Sequence, residues 1–123
     1  MNKKLNLVGK KIYIREWEIQ DAKMLAALGE TAKIENAELR IIDWTMKFTQ
    51  TKLGTLPIFN FQNQLLGIIS LQPKIKKNRA IFELQVISDG KLSGEYISEA
   101  KFLVTEYAHT ILGITEINDT SLS

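Results

Sequence analysis

A chain of 123 residues with 45% hydrophobic and 24% charged side chains has the size and balance of one globular domain around one core, and a net charge of +2 is too mild to make nucleic acid a default partner. With no cysteine there is no disulfide framework, thiolate metal site or cysteine nucleophile, which fits a reducing cytosol. No apolar run approaches the ~20 residues that span a bilayer, and Met1 to Lys11 has no signal-peptide core, so the expectation is a cytoplasmic protein without a membrane partner.

Lys11 to Arg15 alternates Ile12 and Ile14 against Tyr13 and Arg15, the period of a half-buried strand. From Glu18 to Leu28 the apolar positions Ile19, Ala22, Leu25, Ala26 and Leu28 take helical spacing, and Gly29 supplies a stop. A second helix follows from Ile34, Ala37, Ile41, Trp44 and Phe48, five residues on one stripe, which Leu39, Ile42 and Met46 broaden.

Past Gly54 the texture becomes strand-like. Leu56 to Phe61 and Gln64 to Leu71 read as a hairpin turning at Gln62 and Asn63, with Pro57 near a strand start, a bulge or close approach at Gly67, and Pro73 ending the second strand. Ala80 to Ile87 alternates Phe82, Leu84 and Val86 against a face that holds Glu83 and Gln85. Ser93 is an N-cap for a last helix with Tyr96, Ala100, Leu103, Tyr107 and Ile111 on one stripe. Gly113 caps it, and Ile114 to Ile117 reads as a brief closing strand. The expected fold is mixed α+β (α/β), a mostly antiparallel sheet of about five strands flanked by three helices in the order β-α-α-β-β-β-α-β.

That order resembles the N-acetyltransferases of the GNAT superfamily, most closely the branch that acetylates ribosomal-protein N-termini. Three stretches carry the likeness. "LVGKKIYIREWEIQDAKMLAAL" is similar to the family's opening strand and helix, with Arg15, Asp21 and Ala22 at habitual places; "QLLGIISL" is similar to its third strand; "GEYISEAKFLVTEYAHTILGITEI" is similar to the helix and strand after the cofactor loop, with Tyr96, Glu99 and Ala100 in its Tyr-x-x-Glu-Ala pattern. The resemblance implies acetyl-CoA as cofactor, bound where the fourth and fifth strands splay apart, and an amine acceptor whose identity the residues do not name. It assigns cofactor contacts to Leu84, Val86, Lys91, Ser93, Gly94, Glu95 and Tyr96, an acceptor pocket to Trp44 and Phe48, and the general base to Glu83, with Gln85 as polar partner. The bland alternative for Glu83 is a solvated strand residue, and for Trp44 and Phe48 ordinary core.

Two departures bear on that reading. The family's phosphate loop alternates two small residues, whereas "KLSGEY" offers only Gly94 and follows it with Glu95, a carboxylate in the first helical turn that repels a diphosphate. The family also continues past its fifth strand into a helix and two strands, so residues 1–123 read as a single shortened domain whose open last strand favours a homodimer through that edge. A non-catalytic relative acting through protein contacts is therefore the alternative. His109, the only histidine, falls off the apolar stripe and reads as a surface residue at the helix C-terminus, and no metal set forms around it. The cluster Lys74, Lys76, Lys77 and Arg79 reads as a solvated turn, and Phe102, off the main stripe, hints at a partner surface if exposed.

Overall fold

The computed structural model describes residues 4–28, 33–76, 79–87 and 92–119, with 75–76 and 79–80 as backbone. Six strands, β1 (Asn6–Val8), β2 (Ile12–Arg15), β3 (Gly54–Asn60), β4 (Leu65–Lys76), β5 (Arg79–Ile87) and β6 (Ile117–Asp119), form one sheet in chain order. All neighbours are antiparallel except β5 and β6, which are parallel through Phe82↔Ile117, Glu83↔Asn118 and Leu84↔Asp119. The helices are α1 (Ala22–Ala27), entered through a 3-10 turn at Ile19–Asp21, α2 (Ile34–Thr51) and α3 (Gly94–Thr110).

The sheet separates two cores. On one face Ile12, Ile14, Leu56, Ile58, Ile69, Leu71 and Leu84 pack against Ala100, Val104, Tyr107 and Ala108 of α3. On the other, Phe59, Leu65 and Ile68 pack against Ala22 and Leu25 of α1, Ala37 and Ile41 of α2, and Trp17. Successive strand residues alternate between these layers, which is why both faces of β3 are apolar. Leu66 shifts the register between Ile58↔Gly67 and Phe59↔Leu65, a bulge beside the expected Gly67.

Several expected boundaries move. The sheet has six strands rather than about five, because Asn6–Val8 turns back on β2 through Gly9, whose amide donates to the Ile12 carbonyl at 2.8 Å. β4 does not stop at Pro73: its register with β3 ends at Leu71, and beyond that point it pairs only with β5, a one-sided ladder that tolerates a residue without an amide hydrogen. Pro57 is likewise not at a strand start; it is buried in the middle of β3, one residue past the end of the β2 register at Ile58. The last strand shares only Ile117 with the expected 114–117, because Ile114 closes α3 instead. Its amide donates to the Ala108 carbonyl at 3.0 Å while Gly113 takes a left-handed φ of 69°.

The largest correction concerns α2. Ala37, Ile41 and Phe48 are buried and Trp44 is half-buried, but Leu39, Ile42 and Met46 do not broaden that stripe. They face solvent at 65%, 48% and 57% exposure.

Candidate active site

β5 presents two chemically distinct sides. Phe82, Leu84 and Val86 face the α3 core, while Glu83 shares a side with Gln85, opposite Gln72 and Ser70 of β4. Helices α1 and α2 cover β2 to β4 on this side, but farther out Gln72, Lys74, Gln85 and Ile87 are exposed. Glu83 is held on this open floor: its side chain is 14% exposed, and its Oε2 lies 3.1 Å from the ammonium of Lys74. It is therefore neither the solvated residue of the bland reading nor a buried structural acid.

The parallel partner β6 covers a small part of β5. Every described residue of β6 is in register with 82–84, and β5 continues to Ile87 beyond it. Within the described residues the two strands are paired up to Leu84↔Asp119. An ion pair at 2.8 Å from Lys101 of α3 to Asp119 fixes β6 against the helix.

At the N-terminus of α3, Ser93 is extended (φ −71°, ψ 162°) and its side chain makes no capping bond. Gly94 opens the helix with no heavy atom within 4 Å of the place a Cβ would occupy. Glu95 projects from the first turn to an ion pair with Lys11, in the turn between β1 and β2. The hydrogen bond that the Lys11 ammonium donates to Glu95, together with nearby carboxylate charge, pushes its pKa up. One turn on, Glu99 accepts from the backbone amides of Lys11 at 2.8 Å and Ile12 at 3.1 Å. Tyr96 packs partly into the α3 core. Ser93, Gly94 and Glu95 thus come together; Leu84 and Val86 sit on the core side of β5; Lys91 lies outside the described residues.

Trp44 and Phe48 are separated. Trp44 stacks on Trp17 at 5.2 Å in the α1–α2 core, whereas Phe48 is 4% exposed in the α3 core. Close to Gln72, the residue paired with Glu83, a depression of about 180 Å³ is lined by Lys47, Thr51, Leu53, Gly54, Leu71 and Pro73. Arg15 and Asp21 are tied up structurally, both guanidinium nitrogens bonding the carboxylate at 2.9 Å, while Asp21 also accepts the Glu18 amide at 2.8 Å. His109 is exposed, its Nδ1 on the Ile114 carbonyl at the C-terminal end of α3.

The residues that local reading misses are Lys11, Glu99 in its clamping role, Lys74 and Lys101. Gly9 followed by two lysines marks a turn, but nothing in the local pattern links Lys11 to a carboxylate 84 positions away.

No protein-family model matches the sequence, and no curated protein matches it either. Solved structures match in fold. A Vibrio cholerae structure assigned as a ribosomal-protein-serine acetyltransferase superposes with a TM-score of 0.77 at 14% identity, over 94% of this chain and 72% of that one. A GNAT-family acetyltransferase from Bacillus anthracis gives 0.69 at 15% identity, over 92% and 71%. FdhC, a nucleotide-linked sugar GNAT, gives 0.72 at 19% identity, over 94% and 71%. The fold is that of the GNAT acetyltransferases. Within it, ribosomal-protein acetyltransferases stand among the structural neighbours, as the sequence resemblance implies.

Proposed function

We propose that this chain transfers an acetyl group from acetyl-CoA to an amine. The observation that carries the reading is the fold itself, with a half-buried Glu83 on the open floor of β5 and the start of α3 following β5 in the chain. When bound, acetyl-CoA supplies the acetyl group as an activated thioester.

The residues present fit an anionic donor at the start of α3. Its first amides are not capped by the Ser93 side chain, Gly94 leaves open space beside them, and the helix dipole favours negative charge there. Glu95 remains an acid in the first turn, but its carboxylate is drawn aside by Lys11. Glu83 is placed to take the proton that an ammonium acceptor must lose, and Lys74 fixes the direction of its carboxylate. The acceptor amine reaches this group across the exposed floor made by Gln72, Lys74 and Gln85.

Calorimetric titration with acetyl-CoA tests the donor half: binding is expected, and no heat at millimolar ligand removes the proposal. Mass-spectrometric detection of acetylated amine in a panel of peptide N-termini tests the acceptor half.

A further inference from the structure

We propose that Lys74 is a self-acetylation site: its side-chain nitrogen accepts an acetyl group from acetyl-CoA, and Glu83 of the same chain takes the proton. The inference rests on the acetyl-transfer reading above and adds an acceptor to it. Gln72 stands opposite Glu83 in the β4–β5 register, and Lys74 lies two residues farther along β4, on the same side of the sheet and diagonal to Glu83. A long side chain spans that diagonal, and the Lys74 ammonium lies 3.1 Å from Glu83 Oε2. A primary ammonium seated on the carboxylate is the arrangement that an amine acceptor must reach before it loses its proton. Lys74 has it without any encounter between molecules.

Three features single out this lysine. Its side chain is 59% exposed while that of Glu83 is 14% exposed, so the amine is open to a reactant and the acid is sheltered. The β3 register ends at Leu71, so at Lys74 β4 pairs only with β5 and no described strand flanks the lysine on its other side. Lys11, Lys47 and Lys101 pair instead with Glu95, Asp43 and Asp119, none of which lies on β5. The Lys74 ammonium passes one proton to Glu83, its nitrogen bonds the acetyl carbon as the carbon–sulfur bond breaks, and a second nitrogen proton goes to the departing thiolate. The products are an N-acetyl group on Lys74, the thiol of CoA and a proton that Glu83 returns to water. The amide is uncharged and no longer nucleophilic, so the modification ends the ion pair and stops at one acetyl group per chain.

Incubation of the full chain with acetyl-CoA, followed by mass spectrometry of the intact protein and its peptides, is the test. One acetyl group on Lys74 is expected, at a rate per chain that dilution of the protein does not change. Lys47, similarly exposed and also ion-paired, is the internal control for unassisted chemistry. Lys74 should react at least ~100-fold faster than Lys47, and Glu83→Gln should remove that advantage. Lys74→Arg should leave the intact mass unchanged by the incubation. Without acetyl-CoA, the side-chain nitrogen resonance of Lys74 should move on Glu83→Gln while that of Lys47 stays. The proposal is overturned by equal labelling of the two lysines, by an advantage that survives Glu83→Gln, by a rate per chain that rises with protein concentration, or by an unmoved Lys74 resonance. If peptide amines are acetylated and Lys74 is not, self-acetylation fails and the acetyl-transfer reading stands; if acetyl-CoA gives no heat on titration, both fail.

Discussion

Lys11, in the turn between β1 and β2, and Glu95, in the first turn of α3, form an ion pair that joins the two ends of the fold's sequence. The pair changes the electrostatics of the proposed cofactor site, since an acid that would oppose a diphosphate is turned toward a cation. Lys11→Ala should weaken acetyl-CoA binding by roughly two- to fivefold, the scale of one charge near a helix N-terminus, and Glu95→Gly should strengthen it by a similar factor. Titrations at low and high salt check this, because both effects should shrink as screening increases.

Glu99 makes a different connection from the same helix. Its carboxylate accepts two backbone amides of the β1–β2 turn, and a Cβ on Gly9 would stand 2.2 Å from its Oε1. Glu99→Ala should therefore destabilise the protein by about 1–3 kcal/mol through unsatisfied amides. Gly9→Ala should also destabilise it, by displacing the carboxylate from those amides. Urea unfolding of both variants and of the double variant checks the coupling, since each removes what the other depends on and the effects should be less than additive.

The Arg15–Asp21 pair is the most enclosed charge interaction in the described residues, with the Asp21 side chain 2% exposed and the guanidinium 4.3 Å above the Phe59 ring. Hydrogen bonding to Asp21 raises the Arg15 pKa, against the opposing effect of burial. Asp21→Ala should cost about 3–5 kcal/mol in thermal or urea unfolding, because it strands a half-buried cation and removes the acceptor for the Glu18 amide.

Tyr107 links stability to alkaline pH. Burial, and secondarily the charge of Glu16, push its phenol up from the ordinary 10.0. A raised folded value means that this contribution is complete below pH 10 and is lost as pH rises through the folded pKa. Tyr107→Phe should flatten that alkaline decline while costing about 0.5–1.5 kcal/mol at neutral pH, the worth of its hydrogen bond to the Lys52 carbonyl. Unfolding curves from pH 7 to 11 check both signs.

Glu83→Gln should leave acetyl-CoA binding within about twofold and lower acetylation by 10²–10⁴-fold, the usual contribution of a general base. Calorimetry and rate measurements on the same preparation separate these outcomes. Lost affinity with unchanged turnover would instead make Glu83 a binding residue.

Periodicity was sufficient for β2, α2, the β3–β4 hairpin, β5 and α3, since each buries an apolar stripe or alternation that is visible within a dozen residues. It missed β1, whose three residues are too few to show alternation, and misplaced β6, whose first expected residue is committed to closing α3. Of the candidate residues, Glu83 and the Ser93–Gly94–Glu95 turn were visible in the sequence as a carboxylate on one face of a strand and a small-residue helix start. Lys74 was visible as a charge but not as the partner of Glu83, since only the β4–β5 register brings the two together.

Local apolar spacing thus settled the type of the longer segments, because each of these must hide one side of itself. Packing alone settled that Leu39, Ile42 and Met46 face water, that Trp44 and Phe48 part into different cores, and that Lys11 meets Glu95. Such facts depend on which layer a side chain enters and which distant strand lies beside it, and short-range spacing in the chain does not encode either.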